Sequence, residues 1–200
     1  MRGPRARAAL ERRDADKVQE SRRASRPVAP SRVRKASLKD LDTLVRHRRG
    51  MWVDIARFTP EELDAGDRVY RRWVRPRLRS GRLVGFIVED AQGRAVASGC
   101  VWLMPRQPRP SWNGPSVPYL MSMYTEPALR GKGCATRIVR EAIRWARAHG
   151  YDAMTLHASD YGEAIYRREG FGRTMEMRLR LRSSGRVRWK ARRTAKRSKV

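Results

Sequence analysis

Met121-Ser122-Met123-Tyr124-Thr125-Glu126-Pro127-Ala128-Leu129-Arg130-Gly131-Lys132-Gly133-Cys134-Ala135-Thr136 is the stretch from which the fold is read. It runs from an apolar strand, through a turn at Pro127, into a basic glycine loop and on into a helix. The helix follows at once, since Ile138, Val139, Ala142, Ile143 and Ala146 recur on one face at helical spacing. Arg137, Arg140, Glu141, Arg144 and Arg147 fall largely off that stripe. A strand, a glycine loop and a helix in this order form a phosphate cradle. The first N–H groups of a helix lack internal partners, and the macrodipole makes that end electropositive. Gly131 and Gly133 remove the Cβ atoms that would hold an anion off the backbone. Arg130 and Lys132 add charge to amides that would face a pyrophosphate.

Glycines at these positions also suit a plain surface turn. The loop lacks the third glycine of a dinucleotide G-x-G-x-x-G, and its lysine lies between the glycines with no Gly-Lys-Ser/Thr following, so it is not a P-loop.

Downstream, His149-Gly150 is a glycine stop for the helix. Ala153 to Ala158 reads as a buried strand, which makes a strand–helix–strand unit with a right-handed crossover and a parallel pair. Tyr161 to Arg168 reads as a short helix ended by Gly170. Phe171 to Arg182 alternates in part, with Met175, Met177, Leu179 and Leu181 on one face, and predicts a final strand or hairpin. Upstream, Ser31 to Ala36 predicts a first strand. Ser37 is a cap for the helix carrying Leu41, Leu44, Val45, Met51, Trp52 and Ile55. Thr59-Pro60-Glu61-Glu62 opens a second helix with a Thr cap, Pro at the first position and a capping-box Glu62. Arg82 to Glu89 and Ala95 to Leu103 predict an antiparallel pair about Gln92-Gly93. Pro105 to Pro118, with Trp112, is a loop long enough to border a site.

Two motifs in this order resemble those of the GNAT superfamily of acyl-CoA-dependent N-acyltransferases. Arg130-Gly131-Lys132-Gly133-Cys134-Ala135 is similar to the family's Arg/Gln-x-x-Gly-x-Gly/Ala motif. Ala164-Ile165-Tyr166-Arg167-Arg168-Glu169-Gly170-Phe171 is similar to its LYxxxGF ending. The detailed match covers residues 117–175, and from residue 32 the order of elements agrees. The resemblance implies a mixed α/β (α+β) fold: a mostly antiparallel sheet with splayed central strands and helices on both faces. It implies a domain over residues 32–182, between a basic, disordered N-terminal tail at 1–31 and a basic, disordered C-terminal tail at 183–200.

It also implies a chemistry. Acyl transfer from a thioester to an amine needs a neutral amine held close to the carbonyl, a donor for the oxyanion and stabilisation of the leaving thiolate. The resemblance puts the pantetheine arm of acetyl-CoA, the cosubstrate, along Met123, Tyr124 and Thr125. It puts the pyrophosphate on Arg130, Gly131, Lys132, Gly133, Cys134, Ala135 and Thr136. Tyr166 matches the family's general acid near the sulfur; the alternative is a packing role. Asp160 falls where many relatives have an Asn that contacts CoA, and a carboxylate there is less friendly to phosphates. Many relatives carry the base as a Glu in the central strand. The strand here has no acid, so Glu126 just beyond it is the candidate, with Glu89 and His157 as alternatives. Cys134 reads as a small hydrophobe in a place usually taken by a branched aliphatic residue. The helix aromatics Trp52, Phe58, Tyr70 and Trp73 fall in the implied wall of the acceptor pocket, where core packing is the alternative.

With 200 residues, the chain has room for one substantial core. Its 47 Lys+Arg against 20 Asp+Glu give a net charge of +27. Such a field attracts a polyanion such as CoA and disfavours polycationic acceptors, so a small amine or amino acid with an anionic group, or an acidic protein N-terminus, suits it best. The same charge supports a second reading: a nucleic-acid- or ribosome-associated protein that keeps the fold, making nonspecific contacts through its tails, the last of which holds Arg188-Trp189-Lys190. Two cysteines and three histidines, His47, His149 and His157, show no metal-ligand spacing, so no metal is expected. No apolar run is long enough for a membrane span and no signal peptide is visible, so a cytoplasmic protein is expected, with a homodimer allowed.

Overall fold

The structure is a computed structural model that describes residues 30–108, 110, 114–177, 179 and 188–189. Most of the two tails, and Trp112, lie outside the described residues. The elements run β1 Pro30–Lys35, α1 Leu41–Ile55, β2 Ala56–Arg57, α2 Pro60–Arg79, β3 Leu83–Asp90, β4 Ala95–Pro105, β5 Ser116–Thr125, α3 Cys134–Ala148, β6 Thr155–Leu156, α4 Glu163–Arg168 and β7 Arg188–Trp189.

Local chemistry sets the helix starts. Ser37 caps a three-residue 3-10 turn that leads into α1, and Asp40 returns the bond to the Ser37 amide at 2.7 Å. Arg34 grips the Asp40 carboxyl at 2.7 Å, and this bond holds its pKa down to about 2. The capping box on α2 forms as the sequence predicts. The Thr59 amide donates to Glu62 at 2.8 Å, and the Glu62 amide donates to the Thr59 hydroxyl at 3.3 Å.

Five strands form one sheet in the order β1-β3-β4-β5-β6. All neighbours are antiparallel except β5 and β6, which run parallel as a crossover through α3 requires. The expected stripe on α3 packs against one sheet face, where Ile138, Val139 and Ala142 are fully buried with Phe86, Val88 and Val101. Burying a Val or Ile side chain stabilises by about 1.5–3 kcal/mol. Helices α1 and α2 cover the opposite face through Leu44, Val45, Tyr70 and Val74, against Leu83 and Cys100. The sheet is therefore mixed and mostly antiparallel, with helices on both faces.

Three expectations change. β6 is two residues long, where Ala153–Ala158 was expected. Residues 171–177 form no strand, and Met175 and Met177 are 99% and 95% exposed. So short a β6 offers too few backbone groups to hold a further strand on its edge, and alternation without a partner buries nothing. The loop expected at 105–118 narrows, because β4 and β5 pair as far as Pro105 and Ser116. In addition, β7 pairs antiparallel with β2, so part of the chain beyond residue 182 returns to the fold.

Candidate active site

The central strands part where the sequence breaks their pairing. β5 and β6 pair only at Tyr119–Thr155 and Leu120–Leu156. Beyond Leu120, the β6-side edge of β5 has no strand partner among the described residues, through Thr125. On its other side, between two paired positions, β5 has two residues, Ser122 and Met123, where β4 has one, Gly99. Ser122 takes up the extra residue with φ 54°, a bulge that bends the strand. Gly99 lies opposite, and a Cβ there would sit 2.3 Å from the Met123 sulfur, so the glycine lets Met123 seat in the core. The side chain of Met123 is thus structural. Its backbone, with that of Tyr124 and Thr125, belongs to the open edge.

The loop after β5 has the cradle geometry. Gly131 and Gly133 have φ of 76° and 80°, which glycine adopts freely, and no atom lies within 4 Å of where a Cβ would stand. The amides of Gly131, Gly133, Ala135 and Thr136 make no backbone hydrogen bond among the described residues; that of Arg137 opens the helical series on the Gly133 carbonyl at 3.1 Å. Free donors, open space above the backbone and the positive end of a 15-residue helix fit a pyrophosphate. Lys132 stands exposed beside them. Arg130 points elsewhere. Its Nε donates to the Thr125 carbonyl at 3.1 Å and its Nη2 to Asp54 of α1 at 2.6 Å, so it ties the loop to α1. Cys134 is buried and its pKa is raised by burial, which suits packing and not nucleophilic attack. Cys100 is likewise buried, with burial pushing its thiol up to about 12. Asp160 is exposed in the turn before α4.

The four buried side-chain atoms that find no hydrogen bond are His47 Nε2, Arg48 Nε, Tyr70 Oη and Thr155 Oγ1 among the described residues. All four surround β5. His47 packs its ring 5.1 Å from Tyr124; Arg48 lies 4.3 Å over the Tyr70 ring; Tyr70 faces Ser122 and Cys100; and Thr155 is opposite Tyr119.

The expected catalytic pair is not brought together. Tyr166 packs edge-on to Phe171 at 5.9 Å, and burial, with Tyr119 adding, pushes its pKa up to about 12. It therefore stays protonated at neutral pH. Since an ordinary thiol has a pKa of about 8.5, this phenol offers a departing sulfur a hydrogen bond more readily than a full proton. Glu126 accepts from Arg46 at 2.8 Å and lies 3.8 Å from His47 Nε2. Along the strand it stands roughly 20 Å from Tyr119, at about 3.3 Å per residue. Glu89 is held by Arg32 and Arg34 at 2.8 and 2.6 Å on β3, next to the edge strand β1, away from the parting strands.

What does stand beside Tyr166 is a hydrogen-bonded chain. The Tyr119 hydroxyl meets His157 Nδ1, and His157 Nε2 lies 2.6 Å from both carboxylate oxygens of Glu176. An ionised carboxylate only accepts, so Nε2 carries the hydrogen and Nδ1 accepts from the phenol. The sequence singled out His157 but not its partners. The parallel pairing of their strands was a signal for Tyr119; Glu176 gave none, since the strand expected there did not form.

His47 is fully buried on α1, with Nδ1 2.9 Å from the Ser98 hydroxyl. Burial, with the Arg46 cation adding, lowers its pKa to about 4. A folded value below the ordinary 6.5 means that the unfolded chain binds the extra proton first. The stabilisation is present above pH 6.5 and is lost as pH falls towards 4, by about 3 kcal/mol. Urea unfolding at pH 7 and pH 4 is expected to show the parent losing about that much more stability than His47→Gln. Equal losses would contradict the assignment.

No curated protein sequence matches the chain. Residues 44–171 match the model of the acetyltransferase (GNAT) family. The crystal structure of a GCN5-related N-acetyltransferase from Ralstonia eutropha JMP134 is similar at 26% identity and a TM-score of 0.68, over 75% of this chain and 97% of that one. A predicted acetyltransferase from Clostridium acetobutylicum, crystallised with acetyl-CoA, is similar at 27% identity and a TM-score of 0.67, over 75% and 96%.

Proposed function

The chain belongs to the GNAT acetyltransferase family, and we propose that it moves an acetyl group from acetyl-CoA to a primary amine by direct attack within a ternary complex. The observation that carries this reading is the pairing of an open β5 edge with a glycine cradle on the same strand–loop–helix unit. The pantetheine arm lies along the backbone of Met123 to Thr125, and the pyrophosphate meets the amides of Gly131, Gly133, Ala135 and Thr136. Buried thiols at Cys100 and Cys134 favour direct attack over an acyl-enzyme.

The proton path runs through Tyr119 and not through Glu126. The acceptor ammonium gives one proton to the Tyr119 oxygen as the phenolic proton passes to His157 Nδ1. Glu176 stabilises the imidazolium that results. The freed amine attacks the thioester carbon, the carbon–sulfur bond breaks while Tyr166 donates a hydrogen bond to the departing sulfur, and the second N–H proton, lost as the amide forms, passes to that sulfur to give the free thiol of CoA. Glu126 instead holds Arg46 at the end of β5. The nucleic-acid reading rests on charge alone, and a homodimer gains no support from the comparisons.

The test is to incubate the full chain with acetyl-CoA and a panel of primary amines, following thiol release and acetylated product. We expect equal amounts of both, intersecting initial-rate lines, and a roughly tenfold lower kcat in Tyr166→Phe, less than the about 10²- to 10⁴-fold of a full proton transfer because this phenol gives the sulfur only a hydrogen bond. Thiol release without acetylated amine would contradict the reading.

A further inference from the structure

The guanidinium of Arg48 is an anion-binding group for the acceptor: we propose that the amine this protein acetylates carries a carboxylate or phosphate, and that Arg48 holds it. The proposal rests on the acetyltransferase reading and deepens it.

Three arginines on α1 are treated differently by the fold. Arg46 is paired with Glu126, and Arg49 with both Asp64 and Asp67. Arg48 has no ion pair among the described residues, and its Nε is buried without a partner. The carboxylate that acts on it, Asp67, is already held by Arg49 at 2.7 Å. Burial lowers the Arg48 pKa, the mark of a cation removed from water without full compensation. Its remaining support is aromatic, with Cζ 4.3 Å from the Tyr70 ring and 5.5 Å from the Trp52 ring. Cation–π contacts hold the plane of a guanidinium and leave its N–H groups unpaired.

Its position gives the unpaired charge a use. Tyr70 lies between Arg48 and Ser122, the bulged residue of β5 from which the open edge runs. Arg48 is therefore one aromatic ring away from the place where the thioester would lie, on the sheet face opposite α3. Tyr119 belongs to the same strand three residues earlier. An acceptor entering from α1 and α2 would present its amine towards Tyr119 and its anion to Arg48. The planar fork suits an oxyanion with two equivalent oxygens, which carboxylate and phosphate share.

The test uses the full chain saturated with CoA and titrates it with acetylated products that differ only in the anion. The probes are N-acetylphenylalanine against N-phenethylacetamide, and N-acetylethanolamine phosphate against N-acetylethanolamine. The titration needs no turnover, so it reads Arg48 whether or not any amine is acetylated. In the parent, the charged member of at least one pair is expected to bind at least tenfold more tightly; which pair shows it tells carboxylate from phosphate. Arg48→Met should erase that preference and leave the neutral members within about twofold. Arg48→Lys, which keeps the charge but not the fork, should retain part of it. Arg72→Met, which removes a charge from the exposed side of α2, should leave it unchanged. No preference in the parent, an equal loss for charged and neutral probes in Arg48→Met, or an equal effect of Arg72→Met would each overturn the proposal.

Discussion

Tyr119→Phe is expected to lower kcat/KM for acetyl transfer by about 100-fold while leaving acetyl-CoA affinity within about twofold. A positioned acid–base group contributes roughly 10²- to 10⁴-fold, and removing one oxygen breaks the path at its first atom. The phenylalanine keeps the ring, whose centroid lies 5.5 Å from His157, so packing is preserved. His157→Gln should cost a similar factor, since it removes the atom that receives the proton. Glu176→Gln should cost less, about tenfold, because it leaves Tyr119 and His157 bonded. The distinguishing result is non-additivity. If the residues act as one path, the double variant Tyr119→Phe/His157→Gln is little slower than either single variant. Multiplying effects would mean that the residues act separately, and a loss of acetyl-CoA binding in Tyr119→Phe would mean that its role is structural.

The parts of the fold legible in the sequence were those set by short-range rules. Thr59, Pro60 and Glu62 fix a helix start through bonds across three residues, and the α3 stripe reports burial through its period. The glycine loop was legible because the positive φ at Gly131 and Gly133 favours glycine there. Tertiary pairing was not. Arg130 reads as a phosphate clamp in a motif, yet Asp54, far away in the chain, takes its guanidinium. Glu126 reads as the acid closest to the catalytic strand, yet Arg46 on α1 takes its carboxylate. The methionines after Phe171 alternate as in a strand, but a strand also needs a partner edge, and β6 is too short to give one. Arg48 lay within a basic run where charge alone could not say which arginine would lack a partner; only the acids on α2 and just beyond β5 decide that.

Gly133→Glu is expected to weaken acetyl-CoA binding by at least 100-fold, about 2.8 kcal/mol. The position is the N-cap of α3, with φ 80° and open space beside it. The new carboxylate therefore finds room, but in the volume a pyrophosphate would fill, and it repels that anion. Strain contributes as well, since a left-handed conformation costs an L-residue about 1–2 kcal/mol. Gly133→Ala carries the same strain without the charge, and should lose less than tenfold. Ionic strength must be fixed near 0.15 M, where charges are screened beyond about 8 Å, because the net charge of +27 would otherwise draw CoA nonspecifically.

The most direct measurement is calorimetric titration of acetyl-CoA into the full chain, its Gly133→Ala variant and its Gly133→Glu variant. Micromolar binding at one site in the parent, slightly weakened by alanine and lost with glutamate, is the predicted result. No saturable binding in the parent, or equal binding by the alanine and glutamate variants, would contradict the cradle on which the assigned chemistry rests.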